Sequence, residues 1–261
     1  MSGRRSRPVV LTIAGSDPSG GAGLQADLKT FECFGVVGAA VVTAITAQTA
    51  TRVVDVVPVA AKTVAAQLAA VFATVTPRAI KCGLLATTAN VAVVARALER
   101  RDATLVIDPV TVASGGEPLG ERRLLDAVVD RLFPRAAVVT VNLSEAEAIV
   151  GRPVRDEASM GKAGASLLAL GPRAVVVKGG HLDGAPVDLL VVGRRVHRFA
   201  GTRLPHGMHG SGCAFASALA AGLARGRGLE RAVLDAQRHV RGLIRNAVAT
   251  RDGGWLRPPG R

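Results

Sequence analysis

Tyrosine is absent from this 261-residue sequence, tryptophan occurs once, as Trp255, and aromatic residues make up 3% of the chain. Too few rings remain to build a stacking platform for bases, which argues against a nucleic-acid-binding surface. Cysteine is scarce as well: Cys33, Cys82 and Cys213 are odd in number, far apart and never spaced C-x-x-C. That pattern argues against a disulfide framework or a structural zinc site and fits a reducing cytoplasm. No apolar run is long enough to span a bilayer, so no membrane partner is expected. Arg4, Arg5 and Arg7 ahead of the run 9–14 imitate a secretory leader, but Asp17 and a glycine cluster cut the run short of a full leader core. A P-loop, Gly-x-x-x-x-Gly-Lys-Ser/Thr, occurs nowhere. Gly21-x-Gly23-x-x-Ala26 fits the dinucleotide glycine pattern, yet the next apolar run, 36–46, ends in Ala47-Gln48 where that pattern needs an acid.

What is present is a large aliphatic core. Hydrophobic residues form 49% of the chain, nearly all Ala, Val, Leu and Ile, and no polar linker divides them. One domain over 1–261 is expected, with residues 1–7 a loose basic start and 252–261 a loose tail. The net charge of +13 comes from scattered arginines, densest at the ends and at 194–198, and suits solvated surface with a modest pull on phosphorylated small molecules.

Short β-branched runs alternate with helical periodicity along the chain. Strands are predicted at 9–14, 53–59, 79–84, 104–107, 137–141 and 174–177, with helices at 24–34, 62–75, 88–100, 121–132 and 159–170. A hairpin, 188–192 with 195–199, turns at Gly193-Arg194. Continuous apolar strands separated by helices imply an α/β fold of three layers: a mainly parallel sheet with helices on both faces. Ligands in such folds bind beyond the carboxyl ends of the strands.

The richest stretch is 206–226. Gly207, Gly210 and Gly212 precede an Ala/Leu run, and a glycine-led helix start turns unpaired N–H groups outward as an anion site. Ser211 and Cys213 share that start. The dipole's positive end is expected to lower the Cys213 thiol and make it a candidate base. His206, His209 and Cys213 could also be read as metal ligands, but no second ligand cluster accompanies them. Asp27 follows the first glycine loop, where it would serve as a dipole partner or hold a ligand amine. Asp108, Asn142, Glu145 and Lys178 each follow directly on an apolar strand; the acids suit Mg²⁺ and the lysine suits a nucleotide phosphate.

Together these motifs resemble the hydroxymethylpyrimidine/phosphomethylpyrimidine kinases of thiamine biosynthesis, within the ribokinase-like superfamily. Residues 12–31 look like that family's opening motif, and 42–48, 108–110, Asn142-x-x-Glu145, 178–181 and 209–213 follow in its order. The resemblance implies a pyrimidine pocket from Gly15, Asp27, Gln48, Leu84 and Val110, with leucine at 84 where methionine is usual. It implies ATP as phosphoryl donor near Asp108, Asn142, Lys178, Gly210 and Gly212, and Mg²⁺ at Asp108 and Glu145, through water in part. Catalysis would rest on Lys178 and the hole Gly210-Ser211-Gly212-Cys213. A cytoplasmic homodimer acting first on the pyrimidine alcohol and then on its monophosphate is implied too. The alternatives are a pyridoxal-type vitamin kinase and, from another class, a catalytically silent pyrimidine-binding protein. Ala214, Thr49-Ala50 and the segment 203–208 depart from the family's pattern, which bears on substrate range.

Overall fold

In the computed structural model, which describes residues 7–113 and 116–258, the aliphatic runs become the strands of one nine-stranded sheet. The chain runs β1 (Val9–Ser16), α1 (Gly23–Cys33), β2 (Val37–Gln48), β3 (Val53–Pro58), α2 (Ala61–Thr74), β4 (Ala79–Cys82), α3 (Thr88–Leu98), β5 (Thr104–Ile107) and α4 (Leu124–Leu132). It continues through β6 (Val138–Asn142), α5 (Leu143–Val150), α6 (Glu157–Leu168), β7 (Val175–Gly179), β8 (Val187–Val192), β9 (Arg195–Ala200), α7 (Ser211–Ala224) and α8 (Leu229–Arg245). A two-stranded ribbon, β10 (Val248–Ala249) with β11 (Trp255–Leu256), follows.

The sheet order is β3-β2-β1-β4-β5-β6-β7-β8-β9. Six strands, from β2 across to β7, are mutually parallel, while β3, β8 and β9 pair antiparallel with their neighbours. The expected three-layer α/β fold is therefore present, with antiparallel edges. Side chains alternate faces with period two, and this splits the core in two. Leu11, Ile13, Leu105, Ile107, Val175 and Val177 face the layer that holds α2 to α6. Val10, Val106 and Val176 face the layer of α1, α7 and α8.

Helix α7 explains its own composition. From Ala214 to Ala224 nearly every residue is buried, because the helix lies against the sheet between α1 and α8. Ala and Gly let neighbours approach closely: a Cβ on Gly222 would sit 3.2 Å from that of Ala232. The start of α5 is fixed by a capping box in which the Asn142 side chain accepts from Glu145 N–H and Glu145 accepts from Asn142 N–H, both at 2.8 Å.

Two helices fell outside the sequence reading, α5 and the strongly amphipathic α8. The helix expected from 121 begins at Leu124, since Glu121 turns instead to accept from the N–H of Thr88. Residues 1–6 and 259–261 of the expected loose ends lie outside the described residues. The rest of the expected tail is not loose. Trp255–Leu256 pair in β11, and Arg257 is buried against α1, donating to Ala26 O and Thr30 Oγ1.

Candidate active site

The parallel strands deliver Ser16, Gln48, Asp108, Asn142 and Lys178 to one edge of the sheet, at or just past the ends of β1, β2, β5, β6 and β7. Strand order reverses between β1 and β4, the position where open α/β sheets leave a crevice. A cavity of about 640 Å³ lies along this edge. Its lining includes every site residue expected from the sequence except Asp27.

Gly15, Gln48, Leu84 and Val110 all line this cavity and offer it apolar surface with one amide. A bulge between Ala14 and Gly15 swings β1 here, and a Cβ on Gly15 would come within 3.0 Å of Leu84. The glycine thus keeps the pocket open. Among the described residues the Gln48 side chain has no partner, so its donor and acceptor both remain for a ligand.

Asp27 is the first correction. It is fully buried behind the pocket wall, receiving Lys81 Nζ at 3.0 and 2.9 Å, Thr12 Oγ1 at 2.6 Å and Ser217 Oγ at 2.6 Å. With both oxygens taken, it has nothing to offer a pyrimidine amine. What it does is hold Lys81, which the sequence reading missed and which lines the cavity. Burial alone would lower the Lys81 ammonium, but Asp27, with Cys213 and Asp108, raises it above the ordinary lysine value, so it stays charged.

In the middle stand Asp108 and Lys178, paired at 3.0 Å. Burial opposes ionisation of Asp108, yet Lys178 and Lys81 outweigh it and its carboxyl lies below the usual range. Glu145 is different. Burial, only partly offset by Lys178 and reinforced by Asp108, pushes it up to about 7. One oxygen of Glu145 serves the α5 cap, and one of Asp108 takes Lys178 and Thr140. Each acid thus keeps one oxygen for the cavity.

The helix start behaves partly as expected. Gly210 caps α7 with φ +75°, and a Cβ there would overlap the Gly21 carbonyl, so two glycine loops interlock. Ser211 N–H is engaged by Met208 O at 3.3 Å and Ala214 N–H by Gly210 O at 2.9 Å. Among the described residues this leaves the N–H groups of Gly212 and Cys213 as the donors without a backbone partner, which narrows the expected hole to two. Gly212 faces both charges: a Cβ on it would lie 3.2 Å from Lys178 Nζ and 3.9 Å from Asp108 Oδ2.

Cys213 is the second correction. Burial pushes its thiol up to about 11; Lys81 pulls it down, but Asp108 and Asp27 push in the same direction as burial. The expected lowering does not occur, because burial outweighs Lys81 and two carboxylates add to it. The metal reading of the histidines also finds no support. His206 stacks on Trp255 with ring centroids 3.7 Å apart, and His209 Nε2 bonds Asp17 at 3.0 Å. Among the described residues no group of three potential ligands gathers. Burial works against ionised Asp17, but bonds from His209, Ala22 and Ser19 win and lower it to about 2. In the sequence Asp17 was read only as a break in an apolar run, although its place within the first glycine loop was a usable signal of a site role.

At the far end Arg203 ties the 201–207 loop to the turn after β7, donating to Gly180 O, Leu182 O and Gly184 O. One face of α8 closes the cavity there.

Comparison with known proteins bears on the family and the fold. A family model described as phosphomethylpyrimidine kinase matches residues 17–255. The chain is 41% identical over 255 residues to a hydroxymethylpyrimidine/phosphomethylpyrimidine kinase of Streptomyces coelicolor, covering 95% of each chain. It is 45% identical over 244 residues to a bifunctional thiamine biosynthesis protein of Geobacter sulfurreducens, covering 92% of this chain but only 50% of that one. Among solved structures, a phosphomethylpyrimidine kinase from Clostridium difficile superposes with a TM-score of 0.80 at 36% identity, over 90% of this chain and 99% of that one. The pyridoxal kinase of Staphylococcus aureus in complex with pyridoxal gives 0.90 at 33% identity, over 98% and 94%.

Proposed function

Since the chain belongs to the phosphomethylpyrimidine kinase family and is a phosphotransferase, we propose that it transfers phosphoryl groups from ATP to 4-amino-5-hydroxymethyl-2-methylpyrimidine and then to its monophosphate, in thiamine biosynthesis. The observation that carries this reading is that Gly212 and Lys178 line one cavity together with Gln48 and residues of α8, a Cβ on Gly212 lying 3.2 Å from Lys178 Nζ; we take this pair as the midpoint between a Gln48 pocket and a groove beside α8. A pyrimidine held by Gly15, Gln48, Leu84 and Val110 would point its hydroxymethyl group at this midpoint. ATP, approaching from the groove, would bring its terminal phosphoryl to the same place.

Catalysis then consists of alignment and charge neutralisation. Lys178 and Lys81 offset the charge spread over the transferring oxygens. The N–H groups of Gly212 and Cys213 face them. A loose transition state asks little of a base, and the alcohol proton leaves late, to an oxygen of the transferred phosphoryl group or to water. The protonated Cys213 thiol is therefore assigned to shaping the hole rather than to accepting that proton.

Mg²⁺ fits the residues present in one limited way. Two carboxylates, each with a free oxygen, lie close enough that Asp108 helps to raise Glu145. A cation shared between them would relieve that repulsion, and Mg²⁺ commonly binds through one or two acids, waters and substrate phosphates. Asp108 and Glu145 would hold it, with Asn142 fixing Glu145 through the cap, and the ion would neutralise phosphate charge. A homodimer is supported by the exposed pair Ile45 and Val57, directly opposed on β2 and β3.

The pyridoxal-kinase relatives keep a second substrate class open to test. Incubation with ATP, Mg²⁺ and, separately, the pyrimidine alcohol, its monophosphate and pyridoxal, followed by product analysis, decides among the readings. Turnover of both pyrimidines is expected. Turnover of pyridoxal alone would replace the proposal, and binding without any turnover would make the chain a silent pyrimidine-binding protein.

A further inference from the structure

The groove beside α8 contains one amide whose orientation is fixed from within. Gln237 lies on α8, is 8% exposed and lines the cavity. Its Nε2 donates to Asp188 Oδ2 at 3.0 Å and to the Phe199 carbonyl at 3.0 Å. A backbone carbonyl can only accept, so reversing the amide would set Oε1 against it and lose both bonds. The –NH₂ group is therefore committed to the protein, and Oε1 is turned away from those partners. Among the described residues Oε1 receives no hydrogen bond, and it is not among the side-chain atoms sealed without a partner. It is an acceptor offered to the cavity.

Its surroundings suit a flat heteroaromatic ring. Val240, Arg241 and Ile244 follow Gln237 at helical spacings of three, four and seven and line the same cavity, with Pro186 and Gly201 opposite. A Cβ on Gly201 would lie 3.2 Å from the Pro186 ring and 3.9 Å from Arg241 Nη1, so the glycine keeps this slot open. Asp188 also joins this end to the phosphate end, since its other oxygen accepts from the N–H of Gly179, next to Lys178, at 3.1 Å.

We infer that Gln237 is a specificity-determining residue for the nucleotide: its Oε1 accepts a hydrogen bond from the 6-amino group of adenine and disfavours purines that carry a carbonyl there. The inference rests on the kinase reading above for the identity of the ligand. A 6-oxo purine would face the amide oxygen with another acceptor, leaving both unpaired. Such a mismatch corresponds to about a ten- to hundredfold loss.

The test compares ATP with ITP, which differs at position 6 and its adjacent ring nitrogen, in wild type and in Gln237→Lys. Lysine can still donate to Asp188 and Phe199 O, so the fold is kept, but it has no acceptor. Wild type is expected to favour ATP over ITP by about ten- to a hundredfold in kcat/KM. In Gln237→Lys the ratio should fall toward one, with the loss for ATP falling in KM rather than kcat. Calorimetric binding of ATP and ITP without the second substrate gives the same comparison if no acceptor is phosphorylated, so failure of the kinase reading is distinguished from failure of this one. Equal use and equal binding of ATP and ITP by wild type, or a ratio unchanged in a folded Gln237→Lys, would overturn the assignment.

Discussion

Cys213 and Asp17 both stand beside charges, yet they end on opposite sides of their ordinary values: burial prevails at the thiol and hydrogen bonds prevail at the carboxylate. A thiol raised to about 11 is protonated at neutral pH, so it cannot begin the reaction as a base. Cys213→Ala is accordingly expected to slow both phosphorylations by similar factors in steady-state kinetics. A loss confined to the alcohol substrate, of the 10²–10⁴-fold that general-base help typically brings, would restore the base role. Asp17 is lowered to about 2 from an ordinary 3.8. Between those values the unfolded chain binds a proton that the folded chain does not, so the contribution is present above about pH 4 and is lost as pH falls toward 2. It amounts to about 2 kcal/mol. Asp17→Asn should lose roughly that much stability at pH 7 in urea denaturation, and its stability should fall less steeply in acid than that of wild type. The sequence made Cys213 visible but not its raised pKa, because its burial, and the approach of Lys81, Asp108 and Asp27 from far along the chain, come only with the fold. Asp27 misled for the same reason: Thr12, Lys81 and Ser217, which occupy it, are 15, 54 and 190 residues away.

Two glycine loops meet at the start of α7, and their contact can be tested as one element. Gly210→Ala must place a side chain at φ +75° and into the Gly21 carbonyl. It should cost roughly 2 kcal/mol or more in thermal or chemical denaturation. Gly207→Ala, with nothing within 4 Å of its Cβ, should stay within about 0.5 kcal/mol of wild type. A tolerant Gly210→Ala would mean that the loops do not interlock. At this scale the sequence was most readable, since apolar runs and glycine punctuation marked β1, β4 to β9 and most helices. What it hid was α8, whose four arginines, with Glu230 and Asp235, mask a buried stripe of Ala232, Val233, Ala236 and Gln237. With that helix went Gln237 and the groove it closes. Lys81 left a trace that could have been used: a lysine within Ala79-Ile80-Lys81-Cys82, a strand buried on both faces, needs an internal partner.

The molecule as a whole carries a net charge of +13, and the two proposed acceptors differ in charge. A positive field attracts the monophosphate and ATP but not the neutral alcohol, and salt screens it. Raising ionic strength should therefore raise KM for the monophosphate several-fold while leaving KM for the alcohol nearly constant. Parallel changes would show that the charge is spread too evenly to steer. If Ile45 and Val57 meet a second copy, Ile45→Lys should shift sedimentation toward the monomer, and an unchanged dimer would move the interface elsewhere. The ribbon at the end of the described chain bears on how the molecule comes into being. Trp255 O accepts from His209 N–H at 2.9 Å, the Trp255 ring lies on His206, and Arg257 is fastened to α1. These clamps tie residues 255–257 to the loop before α7 and, 227 and 231 residues back along the chain, to α1. The loop that carries His206 and His209 is thus braced by contacts of high sequence separation, whose loop-closure entropy must be met before they form, so its ordering is expected to follow that of the sheet.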